Sequence, residues 1–179
     1  MKTIFQIFYS WQADISENKI ISKCLEKAVK DLGLKHSKEI NIEINIDRNT
    51  KNKTGSPDIS NTILQKISNS DIFVCDVTLI NNTRINRILK GRLTSNPNVL
   101  FEFGYAVKNL GWERTIILNN LKYGKSELLP FDIRNHRVTT FNTKSKKHKE
   151  ELTQTLTYAI GKIIEDYEEI QNRHNVNNF

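Results

Sequence analysis

Five short stretches of strand character alternate with segments of helical period along this 179-residue chain, and that alternation most narrows the folds open to it. They fall at Thr3 to Tyr9, Ile40 to Ile46, Asp71 to Asp76, Thr115 to Leu118 and Val138 to Phe141. Parallel strands cannot be joined by a tight turn; each needs a crossover, usually a helix, and such crossovers are right-handed. The pattern therefore predicts an α/β domain built on a doubly wound parallel sheet. Asp71-Ile-Phe-Val-Cys-Asp76 is apolar throughout its middle, as a central strand covered on both faces should be. Ile40, Ile42, Ile44 and Ile46 alternate with polar residues instead, and read as a strand nearer the edge.

The intervening segments carry apolar stripes at three- and four-residue spacing. Ile20, Ile21, Cys24, Leu25, Ala28, Val29 and Leu32 mark a first helix, with Gly33 placed to end it. Ile59, Ile63, Leu64 and Ile67 mark a second, for which Ser56 is the expected N-cap and Pro57 the first helical residue. Residues 77–95 read as a long polar loop bearing Arg84, Arg87 and Arg92. A helix opening near Asn96 buries Val99, Phe103, Ala106, Val107 and Leu110. The last carries Leu152, Leu156, Ala159, Ile160, Ile163, Ile164 and Tyr167, with the basic run Lys144, Lys146, Lys147 and Lys149 just before it. The expectation is one domain over residues 1–171 and a flexible tail over 172–179.

Composition removes several classes of function. Hydrophobic residues at 37% supply one ordinary core. The chain start lacks a secretory h-region, and no segment approaches about 18 uninterrupted apolar residues, so the reading is cytoplasmic with no membrane partner. A net charge of +7 attracts phosphates, but the lysines are scattered and nucleic acid is not an expected partner. Cys24 and Cys75 have no metal-ligand spacing and read as buried reduced thiols, so no metal site is expected. His36 and His136 sit alone in expected loops, His148 in the basic run and His174 in the tail. No Ser/His or Cys/His pairing, Walker loop or glycine-rich dinucleotide turn is visible.

In doubly wound sheets, ligands bind outside the carboxyl ends of the strands, near the switch in strand order. That rule brings together Ser10, Asp47, Asp76 and the start of the helix at Asn96. On this helix Asn98, Glu102, Tyr105 and Asn109 form a stripe beside the apolar face, with Glu102 in the opening turns between Phe101 and Phe103. An acidic residue there suits the helix dipole in any protein. The same position would also hold a carboxylate among aromatic groups at the mouth of a ligand crevice.

FYSWQAD after the first strand, GSPDI before the second helix, DIFVCDVT as a central strand, and NPNVLFEFGYAV with the later LPFDIR resemble bacterial TIR-like proteins, including nucleotide-binding effectors of antiphage defence. The likeness spans residue 4 to about residue 141, and NPNVLFEFGYA is similar also to nucleoside deoxyribosyltransferases. The resemblance implies a flavodoxin-like TIR fold: a five-stranded parallel sheet in the order 2-1-3-4-5 with helices on both faces. It implies that Glu102 is the catalytic glutamate of an enzyme cleaving the nicotinamide–ribose bond of NAD, a substrate and not a cofactor. The products would be ADP-ribose, a cyclic isomer or a conjugate. It further implies that Ser10-Trp11-Gln12 and the loop from Asp47 to Ser56 line the NAD pocket or make subunit contacts. TIR–TIR self-association and a separate sensor or effector protein follow from the same likeness. FEFGYA stands where eukaryotic TIR domains carry a cysteine- and tryptophan-bearing segment.

Around Glu102 the residue types leave alternatives. Tyr9 or Trp11 would stack on nicotinamide, or pack in the core or rim. Arg92 or Arg84 would meet the diphosphate, or lie in a solvated loop. Asp76 would bind ribose or cap the loop that follows it. Asn98 and Tyr105, on the Glu102 stripe, complete the expected substrate-binding set. Two other functions share these features: nucleoside deoxyribosyl transfer, and a catalytically silent module that binds a nucleotide or another TIR domain.

Overall fold

The structure, a computed structural model, describes residues 2–36, 43–47, 58–89 and 91–177. In chain order it runs β1 (Ile4–Ser10), α1 (Asn18–His36), β2 (Glu43–Asp47), α2 (Ile59–Ser68), β3 (Ile72–Asp76), α3 (Arg84–Ile88) and α4 (Pro97–Leu110). After a 3-10 turn at Trp112–Arg114 come β4 (Thr115–Asn120), a second such turn at Ser126–Leu128, α5 (Phe131–Arg134), β5 (Val138–Phe141), α6 (Lys146–Glu165) and α7 (Tyr167–Asn177). The strands form one sheet in the order β2-β1-β3-β4-β5, every neighbouring pair parallel. This is the flavodoxin-like arrangement, whose switch point lies between β1 and β3. There Ser10 pairs with Cys75 in register.

Strand alternation divides the core into two layers. Phe5, Ile7 and Tyr9 of β1 and Ile72 and Val74 of β3 pack with α1, α6 and α7. Phe8, Phe73 and Cys75 point the other way, toward α2, α4 and α5. The period-2 geometry of a strand makes this division unavoidable once both faces are covered. On α4 the buried stripe is Val99, Phe103, Ala106 and Leu110, which turns Glu102 and Tyr105 to its flank.

Several local expectations are corrected. Gly33 does not end α1, which continues to His36; a Cβ at Gly33 would meet nothing within 4 Å, so no close approach requires glycine there. The cap of α2 is Asp58, whose carboxylate accepts from Asn61 N at 3.1 Å, while Ser56 and Pro57 lie outside the described residues, as do Ile40 and Ile42 of the expected second strand. The stretch between β3 and α4 is not all loop, since α3 forms within it. Lys146, Lys147 and Lys149 lie inside α6, which starts at a Ser145 cap. His136 is not isolated: its ring stacks on Trp112 with centroids 3.4 Å apart. His36 closes α1 instead of lying in a loop. The segment expected to be a flexible tail from residue 172 is helical to Asn177, and Arg173 bridges to Glu113 at 2.8 Å.

Leu156 of α6 is wholly buried in the layer it shares with α1. Leu156→Ala is expected to lower unfolding stability by about 2–5 kcal/mol, the usual range for such a truncation. A urea titration reads this, and a change within about 0.5 kcal/mol, typical of surface positions, would mean the α1–α6 layer is not a packed core.

Candidate active site

The carboxyl ends of β1 and β3 and the first turns of α4 converge on Glu102. Asn96 caps α4 by accepting from Asn98 N at 2.8 Å, and Pro97 fits the first turn because its missing N–H has no intrahelical partner there. Glu102 lies in the second turn of the helix, half-buried, and Ser10 Oγ donates to its Oε2 at 2.5 Å. It forms no other hydrogen bond or ion pair among the described residues, so Oε1 has no partner among them. Burial, the larger influence, pushes the Glu102 carboxyl above its ordinary value, and the Ser10 hydroxyl pulls it part of the way back. The buried Cys75 thiol, beside Ser10 in the sheet, is held far up by its desolvation and then by the charges of Asp76 and Glu102.

A buried polar network fixes this corner. Gln12, with no exposure, donates its Nε2 to Thr78 O at 2.8 Å and accepts from Asn96 N at 2.9 Å, tying the β1 loop to the β3 loop and to the cap of α4. Thr78 donates its N–H and hydroxyl to Asp76 Oδ1, and its hydroxyl oxygen accepts from Asn120 N at 2.8 Å. Asp76 Oδ2 is buried with no partner among the described residues. Burial drives the Asp76 carboxyl above its ordinary value, against the Thr78 bonds that pull it down. Glu17 lies nearby: burial alone would raise it, but bonds donated by Lys122 at 2.6 Å and Tyr123 at 2.7 Å, with smaller ones from its own backbone and Ser16, bring it down to about 2.

The remaining expected site residues separate. Trp11, 37% exposed, stands beside Ser10 with surface to offer a ring. Asp47, at the end of β2, accepts from Lys66 Nζ at 2.8 Å; the rest of its loop to Ser56 lies outside the described residues. Asn98 is exposed on the first turn of α4, and Arg84 and Arg92 are exposed beyond β3. Tyr9 takes the core alternative: only 1% exposed, it points into the α1–α6 layer, because odd-numbered β1 residues face away from α4. Tyr105 bonds Ser68 at 2.7 Å and belongs to the α2–α4 contact, not the crevice. Asp76 takes the capping role, its Oδ1 turned to Thr78 and the residue 1% exposed. Gln12 was expected at the pocket lining and is instead the buried bridge. The Glu17–Lys122–Tyr123 cluster had no sequence signal, since 105 positions separate Glu17 from Lys122.

The class so defined is a flavodoxin-like α/β domain with a desolvated carboxylate–hydroxyl pair at its switch point. Comparison with protein-family models finds no match, and comparison with curated proteins finds none either. Among solved structures, a flavodoxin-like domain from Synechococcus sp. aligns over 86% of this chain and 94% of its own at 10% identity, with a TM-score of 0.47. A CMP N-glycosidase from Clostridium botulinum aligns over 86% and 98% at 18% identity, with a TM-score of 0.40. Among the described residues no group of three or more His, Cys, Asp or Glu is arranged to hold a metal, and no helix is long and apolar enough to cross a membrane.

Two pH effects follow. Because folding raises the Glu102 value, its ionisation opposes folding above the ordinary glutamate value of about 4.3. Glu102→Gln is therefore expected to raise Tm at pH 7.5, at about 2–4 °C per kcal/mol for a chain of this size, with the gain shrinking below pH ~4. Equal Tm values at both pH values would show that this carboxylate is not desolvated. Glu17 has the opposite sign: its contribution is present above the unfolded value and lost as pH falls toward about 2. Glu17→Gln should be less stable than wild type at pH 7, and the two unfolding curves should converge near the acid end.

Proposed function

We propose that this chain is a TIR-type NAD-consuming enzyme that cleaves the nicotinamide–ribose bond, with Glu102 as its catalytic carboxylate. The supporting observation is the position of Glu102: half-buried at the β1–β3 switch point, held by Ser10 through one oxygen and open at the other.

Ordinary glycosides leave as poor groups and need an acid beside a second carboxylate. Nicotinamide in NAD is already cationic and departs neutral, so the enzyme's task is to stabilise the cation that develops on the ribose. The C1′–N bond breaks with its electron pair passing to the pyridine nitrogen. Glu102, ionised in a partly dry place, offsets the resulting oxocarbenium charge, while Oε1 accepts from a ribose hydroxyl. Water then adds to C1′ and gives up its proton, with the carboxylate as acceptor; capture by the substrate's adenine or a third molecule gives a cyclic isomer or a conjugate instead. Ser10 orients the carboxylate and favours its charged form. In this reading Trp11 stacks on nicotinamide, and Arg92, or Arg84 at the start of α3, meets the diphosphate. Antiphage immunity, self-assembly and a separate sensor or effector protein belong to this reading through the resemblance in sequence.

The test follows nicotinamide release from NAD by the purified protein, alone and assembled with its natural trigger. Glu102→Gln should lower the rate by on the order of 10²–10³-fold, the usual scale for removing a preorganised electrostatic group. Ser10→Ala removes a bond to the charged form, so the acid limb of the rate profile should move to higher pH. No release from the assembled wild type would end the NAD reading. Exchange of bases between a deoxynucleoside and free adenine would replace it with deoxyribosyl transfer.

A further inference from the structure

At the end of the sheet opposite Glu102, where β1, β3 and β4 begin, the surface holds a groove of about 530 Å³. That lies within the roughly 300–1,000 Å³ common for small-molecule sites. Its wall includes Lys2, Asp71, Lys108, Arg114 and His174. Arg114 is only 5% exposed, yet its guanidinium is scarcely used. Nε donates to Leu110 O at 2.8 Å, Nη1 reaches Tyr167 Oη only at 3.5 Å, and Nη2 makes no hydrogen bond among the described residues. A guanidinium presents five donors in a fixed fork, and the Nη2 edge of Arg114 is open to the groove that the residue lines.

The one carboxylate in the groove wall is already committed. Asp71 accepts from Lys2 Nζ at 2.6 Å and Tyr167 Oη at 2.5 Å on one oxygen, and from Gln6 N at 2.9 Å on the other. The last carbonyls of α4 are engaged too, Leu110 O by Arg114 and Asn109 O by His174 Nε2 at 3.1 Å. Each of the two helix ends that meet here, those of α2 and α4, adds roughly half a negative charge. Among the charged side chains that line the groove, Lys2, Lys108 and Arg114 outnumber the carboxylate of Asp71.

We propose that this groove binds a phosphate-bearing ligand, with the free edge of Arg114 taking two phosphate oxygens and Lys108 adding charge at the rim. The fork geometry of arginine suits bidentate phosphate contact, and burial strengthens it relative to a surface pair. This site is separate from Glu102 and does not depend on the reaction assigned to that residue. Its ligand is either inorganic phosphate or pyrophosphate, or the phosphates of a nucleotide.

Calorimetric titration with pyrophosphate and with ADP at constant ionic strength tests it on wild type, Lys108→Glu, Arg114→Lys and Glu102→Gln. Lys108 is exposed, so its variant should fold even if a change at Arg114 does not. Pyrophosphate is expected to bind wild type and Glu102→Gln alike and Lys108→Glu at least about tenfold more weakly, equivalent to roughly 1.4 kcal/mol. Arg114→Lys, which keeps the charge and loses the fork, should also weaken binding. ADP binding that is tighter than that of pyrophosphate and is weakened by Lys108→Glu identifies a nucleotide ligand at the groove, and equal affinities identify the phosphates alone. No binding of either probe to wild type, or binding indifferent to Lys108→Glu, overturns the proposal.

Discussion

The Gln12 side-chain amide, fully withdrawn from water, is hydrogen-bonded at both its ends, to the Thr78 carbonyl and to the Asn96 N–H. Through it the chain leaving β1, the chain leaving β3 and the N-cap of α4 become one corner. Thr78 extends that corner to Asp76 and Asn120, so the tip of β4 is held as well. Each such bond contributes only about 0.5–1.5 kcal/mol net, but an unmade one costs about 1–3 kcal/mol where water cannot replace it. Alternatives that open the corner are therefore disfavoured. Since α4 is a stiff rod rising about 1.5 Å per residue, anchoring its cap also sets where Glu102 meets Ser10.

On the proposed chemistry, stability and reactivity pull apart at Glu102. Desolvation disfavours the carboxylate that charge stabilisation needs, and the Ser10 hydroxyl returns only part of what is lost. A carboxylate on open surface would cost nothing and act weakly, because water screens it. The two polar ends of the sheet differ in the same terms. At the carboxyl end an acid is desolvated and partly satisfied; at the amino end an arginine is. Asp71, Lys2 and Tyr167 close the rest of that second cluster and hold the start of α7 against the strands, with burial and then the Asp71 carboxylate pushing the Tyr167 phenol up to about 12.

Strand and helix identity was legible because each depends on neighbours in sequence. The alternation at β3, the stripe Val99, Phe103, Ala106 and Leu110, and the Asn96-Pro97 start all follow from local periodicity and capping. Termini were less legible for the same reason. Gly33 looks like a stop signal, yet α1 runs on past it to His36. Residues 167–177 have a weak apolar stripe, but Tyr167 and Ile170 are buried and Arg173 finds Glu113, a residue far away in sequence. Tyr9 and Tyr105 looked like site residues because they lie near Ser10 and Glu102 along the chain. Sheet alternation sends one to the opposite layer, and the turn of the helix sends the other against α2.

By itself, the sequence determined an α/β domain with a parallel sheet and a glutamate in the first turns of a helix that starts at the carboxyl edge of that sheet, since hydrophobic period, caps and crossover geometry act over a few residues. The strand order 2-1-3-4-5 came from resemblance and was realised in the pairing of the strands. Only tertiary structure decided that Ser10 holds Glu102 across 92 positions of chain, that Gln12 is a buried bridge and not a pocket wall, and that Arg114 lies buried with donors to spare. Desolvation and hydrogen-bond partnership between distant residues exist only once the chain is folded.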